Sequence, residues 1–371
     1  MTERNERPRF PAAGLAAFTV TGLWGCLLIY AAKSFGSAPW YYAERQLFWL
    51  AAGCIGFSLC AAIPFRRFMK WRYFLGAASL LLLILVLFFG ERVNGMRGWF
   101  SFSDYFLFQP SEFAKAAFLL ILAGIGGNTR RKESVRFLRM SGVFLCFALP
   151  VLLEPDLGST LVFYAGFLIV LWVSGMRKRY VIPAFLAGPA CAAVFLIRHA
   201  YARDRILAWL NPDSAVRGTW HIRQFRYAMA EGGLTGSEHG GALWSNAYLP
   251  LPHSDSLYAA IAETSGLTGA LIVLIAFCAI ACAFAKVSMN GTLPFHARIY
   301  ISATAFLYLT QALIHIGVNV ILLPPTGITL PLLSYGGSSL CSTMIAFGLA
   351  FGAANPPRRF LSGKPESPCR P

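Results

Sequence analysis

Charge is scarce in this sequence. Asp, Glu, Lys and Arg supply 13% of its 371 residues, where a soluble domain carries about 25%. Hydrophobic residues reach 57% and aromatics 15%. That balance excludes a disordered chain, a nucleic-acid-binding domain and an ordinary cytosolic enzyme. The glycine-rich fingerprints of ATP and dinucleotide sites are missing, as are an internal repeat and an appended soluble domain. A disulfide framework is missing too: eight of the nine cysteines lie inside apolar runs and Cys369 lies near the end. Cys278 and Cys282 share a helix face, but no His or carboxylate is close enough in sequence to make them a metal site.

What is present is a succession of long apolar stretches, at about residues 12–32, 46–64, 73–90, 110–127, 140–154, 158–176, 180–197, 265–286, 299–321 and 338–355. Each is close to the length a helix needs to cross a bilayer. Arg4, Arg7 and Arg9 precede the first, as in a signal peptide, but 23 uncharged residues from Phe10 to Ala32 suit a retained transmembrane helix better. From Ile299 to Pro357 there is no charged residue at all. Those 59 residues are too many for one span, so two helices joined by the apolar connector Leu322–Gly337 are expected. The fold class expected is an all-α polytopic membrane protein with about ten transmembrane helices. Tails at 1–11 and 356–371 flank a transmembrane domain at 12–355.

The net charge of +16 would suggest nucleic acid in a soluble protein. Here the basic residues sit in short loops. With the N-terminus inside, inner loops and tails hold 21 Lys and Arg against four in the short outer loops (Lys33, Arg45, Arg92, Arg97). Both termini are therefore expected in the cytoplasm. Residues 198–256, between helices seven and eight, form one large extracytoplasmic loop with six arginines and no lysine. Arginine forks there suit phosphate or carboxylate better than topology signalling.

The few remaining polar residues each admit two readings. Glu112 and Lys115, in QPSEFAKAA, make either a helix start with an i,i+3 ion pair or a charged pair lining an outer-facing cavity. Glu154 and Asp156 in EPDLGST stand where Pro155 and Gly158 break the chain, and Asp156 reads as a cap or as a functional carboxylate. Arg97 and Trp99 lie at the outer interface, the Trp as a membrane-belt anchor. The connector PPTGITLPLLSYGGSS reads as a re-entrant turn beside a cavity, since irregular backbone at membrane depth needs protein or water around it. Asp255, beside His253 and Ser254, reads as a helix cap or as a general base.

Seven ordered motifs turn these observations into a family resemblance. They are NG-x-R-x-W from Asn94 to Trp99, QPSEFAK at 109–115, PDLGST at 155–160, Asn211–Pro212 and GGL-x-G from Gly232 to Gly236. Ser254–Asp255 with Ala262–Glu263, and the run from Gln311 to Ser339, complete the set. Over about residues 12–355 the chain resembles the SEDS family, the RodA/FtsW-type peptidoglycan glycosyltransferases, and GITLP with SYGGSS leans toward the division (FtsW) branch. It departs from the family's usual residues at Trp220–His221, Ser256, Thr264, His315 and Thr326.

The resemblance implies a bacterial inner-membrane polymerase acting on the extracytoplasmic side. Its substrates would be lipid II and the nascent glycan strand, and its partners a class B penicillin-binding protein and other divisome or elongasome membrane proteins. Nucleic acid has no place in that picture. Asp255 falls on the family's functional carboxylate. Arg97, Trp99, Glu112, Lys115, Asp156, Arg205, Arg223, Gln224 and Ser338 are the substrate-binding residues expected. Mg²⁺ or Mn²⁺ held by the substrate pyrophosphate is the one cofactor implied. A lipid II flippase and a non-catalytic scaffold for a transpeptidase are the rival readings.

Overall fold

A computed structural model describes residues 12–32, 39–93, 96–103, 106–198, 200–214, 219–237 and 243–355. Both expected tails and the Asn94–Gly95 pair lie outside the described residues. Each expected apolar stretch is helical: α1 Ala12–Ala32, α2 Pro39–Ala62, α3 Phe65–Phe89, α4 Pro110–Gly126, α5 Glu133–Leu153, α6 Leu157–Val173 and α7 Lys178–Arg198. After three further helices come α11 Leu257–Ser288, α12 Phe295–Asn319 and α13 Gly337–Ala354. Among the described residues, six helices are long and apolar enough to cross a membrane, with two shorter apolar ones at Val20–Ala32 and Leu157–Val173.

One expectation needs correction. The chain is mostly but not wholly α: β1 Glu91–Val93, β2 Met96–Ser103 and β3 Phe106–Phe108 form an antiparallel sheet in the order β1-β2-β3. The large segment 198–256 carries α8 Ala200–Leu210, α9 Thr219–Gly232 and α10 Leu243–Ala247.

The bundle is organised around α4. Fifteen of its 17 residues are buried, as expected for a helix apolar on every side. It packs against α3, α5, α6, α12 and α13. One core gathers residues of those helices around Phe118, Phe147 and Tyr308. A second joins α1, α9 and α11 around Tyr258 and Phe277. The connector between α12 and α13 serves both, sending Ile328 and Leu332 into the first and Leu330 and Leu333 into the second. The connector is non-helical, and its stretch from Leu330 to Ser334 is buried in protein.

The segment carrying α8–α10 is clamped to α11. Gly266 breaks that helix with φ +64°, a value that suits glycine. Amides just beyond it, Leu267 N and Thr268 N, donate to Gly233 O and Leu234 O at 3.0 and 3.2 Å. A Cβ on Gly266 would meet Leu234 C at 2.4 Å. Wholly buried Glu263 accepts from Trp244 N and Ser245 N, each at 2.7 Å, which fastens α10 at its start. The GGL-x-G motif and Glu263 therefore have an architectural task.

Candidate active site

A cavity of about 460 Å³ opens between α2, the sheet, the start of α4, α8 and the connector. Pro110 and Glu112 open α4 in its first turn, the position that tolerates proline and favours an acid. From there Glu112 Oε2 accepts from Lys115 Nζ at 2.7 Å, with both side chains buried. Lys115 Nζ also donates to Gln311 Oε1 at 3.1 Å, and Gln311 Nε2 donates to Thr329 O at 3.1 Å. A lysine with two partners in a dry setting is held in one position, and all four residues line the cavity. Both readings of Glu112 and Lys115 hold together: a helix-start ion pair that faces the cavity.

Asp156 is a helix cap that also lies on the cavity wall. It caps α6, accepting from Ser159 N at 2.8 Å and Ser159 Oγ at 2.7 Å. Burial raises its carboxyl above the ordinary value, although the Ser159 hydrogen bonds pull the other way. Its neighbour Glu154 is wholly buried, and neither oxygen has a hydrogen-bond partner among the described residues.

Asp255 stands at the cavity wall just before α11, held through its main chain. Asn319 Nδ2 donates to Asp255 O at 3.1 Å. Ser334 Oγ donates to Ser254 O at 2.8 Å, and Tyr335 N to His253 O at 2.8 Å. The connector and the Asp255 turn are therefore one tied unit. Gly327, at φ +70°, lets the connector turn beside the carboxylate. Burial raises the Asp255 carboxyl, and the Arg205 cation pulls it back down. Arg205 lines the same cavity from α8 and donates to Pro325 O at 3.2 Å. His253 is buried under Tyr42, ring centroids 4.0 Å apart, and is not among the cavity-lining residues.

Of the residues singled out from sequence, Trp99, Glu112, Lys115, Asp156, Arg205, Asp255 and Ser338 line this one cavity. Ser338 Oγ donates to Leu107 O and accepts from Gln109 N, clipping the sheet to α13. Arg97, Arg223 and Gln224 are not among its lining residues. Arg97 is exposed, and its NH1 donates to Leu87 O at 3.3 Å. Arg223 and Gln224 lie on α9, the Gln side chain buried.

Arg45 on α2 lines the cavity beside Tyr41, Tyr42 and Trp49, and its NH1 donates to Tyr41 Oη at 2.5 Å. The sequence reading counted it only as an outer-loop charge. A cation one turn inside an apolar, aromatic helix was the signal available. Gln109 and Gln311 line the cavity as well, and an amide inside the charge-free run from Ile299 marked Gln311 in the same way.

The model of the FtsW/RodA/SpoVE cell cycle protein family matches residues 10–356. The chain belongs to this family. It is similar to the probable peptidoglycan glycosyltransferase FtsW of Mycobacterium tuberculosis, 34% identical over 91% of this chain and 66% of that protein. The protein of the same description from Thiomicrospira cyclica is 33% identical over 84% of this chain and 81% of its own length. The chain thus spans just under two thirds of the mycobacterial relative. Among solved structures, a chain from a peptidoglycan synthase complex, described as coordinating polymerization and crosslinking, superposes with a TM-score of 0.79 at 26% identity, covering 93% of this chain and 97% of that one. The crystal structure of the rod shape determining protein RodA of Thermus thermophilus gives 0.68 at 26%, covering 93% and 96%.

Proposed function

We propose that this chain polymerises peptidoglycan in the bacterial inner membrane. It joins lipid II disaccharides by inverting β-1,4 glycosyl transfer with release of undecaprenyl pyrophosphate. The observation that carries the reading is one cavity collecting three carboxylates, Asp255, Asp156 and the lysine-paired Glu112, with three cations, Arg45, Lys115 and Arg205, beside an aromatic wall. An inverting displacement needs a base at the attacking hydroxyl and positive charge at the leaving group, and little else.

In this scheme the GlcNAc 4-hydroxyl of lipid II attacks MurNAc C1 of the growing glycan and gives its proton to Asp255. A new C–O bond forms as the bond to pyrophosphate breaks, and the released pyrophosphate takes the electron pair. Arg205 and Arg45 hold that developing charge, with Lys115 steadied by Glu112 and Gln311. Burial raises the proton affinity of Asp255 and so suits it to accept a proton. Tyr41, Tyr42 and Trp49 form an apolar flank for the lipid-linked end of the substrate.

Mg²⁺ or Mn²⁺ would enter this site held by the substrate pyrophosphate. Among the described residues no three His, Cys, Asp or Glu side chains come together as a metal set. A divalent ion would be held by pyrophosphate oxygens, with Asp255 facing the same space.

The Lys and Arg distribution supports ten membrane crossings with both termini in the cytoplasm and the cavity on the outer side. The FtsW relatives favour septal synthesis. The peptidoglycan synthase complex favours a transpeptidase partner, a class B penicillin-binding protein. Purified protein with that partner should convert labelled lipid II into glycan ladders. Lipid II translocation in liposomes with no ladder would instead identify a flippase.

A further inference from the structure

A second cavity, of about 470 Å³, lies at the other end of α4. Glu112 opens that helix and Gly124 lies in its last turn, so the two openings are separated by roughly 18 Å along the axis. The pocket is strongly basic: Arg66, Lys70, Arg72, Arg130 and His296 line it, and no carboxylate is among its described lining residues.

The ordinary duties of such cations are already filled. Arg136 satisfies the end of α4 by donating from NH1 to Gly126 O at 2.8 Å. The nearby carboxylate Glu133 is engaged by Arg177 at 3.2 Å and Arg179 at 3.9 Å. Arg66, Lys70 and Arg130 make no ion pair among the described residues; Arg72 donates from NH1 to Met69 O and lies over the Tyr73 ring, while its buried Nε has no hydrogen-bond partner among them. Two helix N-termini also open here. Arg66 and His296 are the second residues of α3 and α12, and neither helix start has a side-chain cap. Uncapped amides and aligned dipoles favour an anion. Gly124 keeps the pocket open, since a Cβ there would come within 2.8 Å of Arg72 Nε.

We infer that this pocket binds a phosphate group, and that the phosphate is the headgroup of an anionic phospholipid in the leaflet opposite the polymerisation cavity. The pocket opens where the apolar helices α3 and α12 begin, the depth at which a headgroup sits. A lipid there would brace α3, α4 and α12, the helices that position Lys115 and Gln311. The binding claim is independent of the glycosyl-transfer reading.

The test is native mass spectrometry of the detergent-purified full chain with added phosphatidylglycerol or phosphatidylcholine, with inorganic phosphate as competitor. The wild-type chain should retain one phosphatidylglycerol and not phosphatidylcholine. Arg66→Gln/Lys70→Gln/Arg130→Gln, all exposed positions, should weaken that retention by roughly 100-fold. Arg131→Gln/Lys132→Gln/Arg139→Gln removes the same charge outside the pocket and should leave it unchanged. Equal retention by the pocket and control variants would overturn the site. Displacement by millimolar inorganic phosphate would overturn the lipid as its occupant.

Discussion

Asn319 holds the turn that carries Asp255. Its Nδ2 donates to the Asp255 main-chain oxygen at 3.1 Å, and its Oδ1 accepts from Ala259 N at 3.1 Å. The side chain lies at the end of α12 and is wholly buried. It thereby links the helix that bears Gln311 to the carboxylate across the cavity.

Removing that link should misplace the carboxylate before it unfolds the protein. Asn319→Ala leaves a buried carbonyl and a buried amide unpaired, each costing about 1–3 kcal/mol. The expected result is a lower Tm and a kcat reduced about tenfold with KM little changed. Asn319→Asp keeps the acceptor but sets a buried carboxylate against the Asp255 and His315 carbonyls, and should be at least as damaging. Steady-state kinetics in detergent alongside thermal unfolding separates the two effects.

The acid limb of the pH–rate profile should report Asp255. A general base works ionised, and burial raises this carboxyl, so activity should fall with decreasing pH at values above the ordinary carboxylate range. Arg205 pulls the carboxyl down, so Arg205→Gln should move the limb to higher pH. The stability effect has the opposite sense. As pH rises above the unfolded value the unfolded chain releases its proton first, and the Asp255 contribution to stability declines. A limb unmoved in Arg205→Gln would break this assignment.

Splitting the Glu112–Lys115 pair should cost more than removing it. A lone buried charge costs about 3–5 kcal/mol, whereas replacing both partners with apolar groups can be nearly neutral. Glu112→Gln and Lys115→Met should each lower the Tm sharply, and the double variant should recover most of that loss. Activity should stay low in the double variant, because the cation facing the cavity is gone.

Arg45 and Arg97 should part company. Arg45→Ala should raise KM for lipid II about tenfold, since it removes a cavity-lining cation of the kind that binds phosphate. Arg97→Ala, on an exposed side chain outside the cavity, should change KM by less than about twofold. Parallel titrations of lipid II against both variants would check the pair.

The helices were legible because hydropathy alone delimits them, and every expected stretch is helical. Their ends extended beyond the apolar cores: at α5 because the polar first turn Glu133–Arg136 continues the helix without a hydropathy signal, and at α11 because apolar turns continue N-terminal to Glu263 and the Gly266 kink. The sheet was hidden, since two of its strands have three residues each and no sustained alternation. Within 198–256 the helices were obscured by length and by glycine, and the GGL-x-G motif, legible only as part of the family resemblance, is the clamp onto α11. Seven of the residues singled out from sequence line the cavity, six marked by a charge or a hydroxyl group and Trp99 by its place at the outer interface. Arg45 was not, because its role depends on which way one turn of α2 faces.

The most direct test of the account is the rate of lipid II polymerisation by Asp255→Asn beside the wild-type chain, both bound to the transpeptidase partner. The substitution keeps the shape and removes the base. Retained Tm with a rate lowered by about 10²–10⁴ is the predicted result. Glycan ladders at the wild-type rate from Asp255→Asn would contradict it.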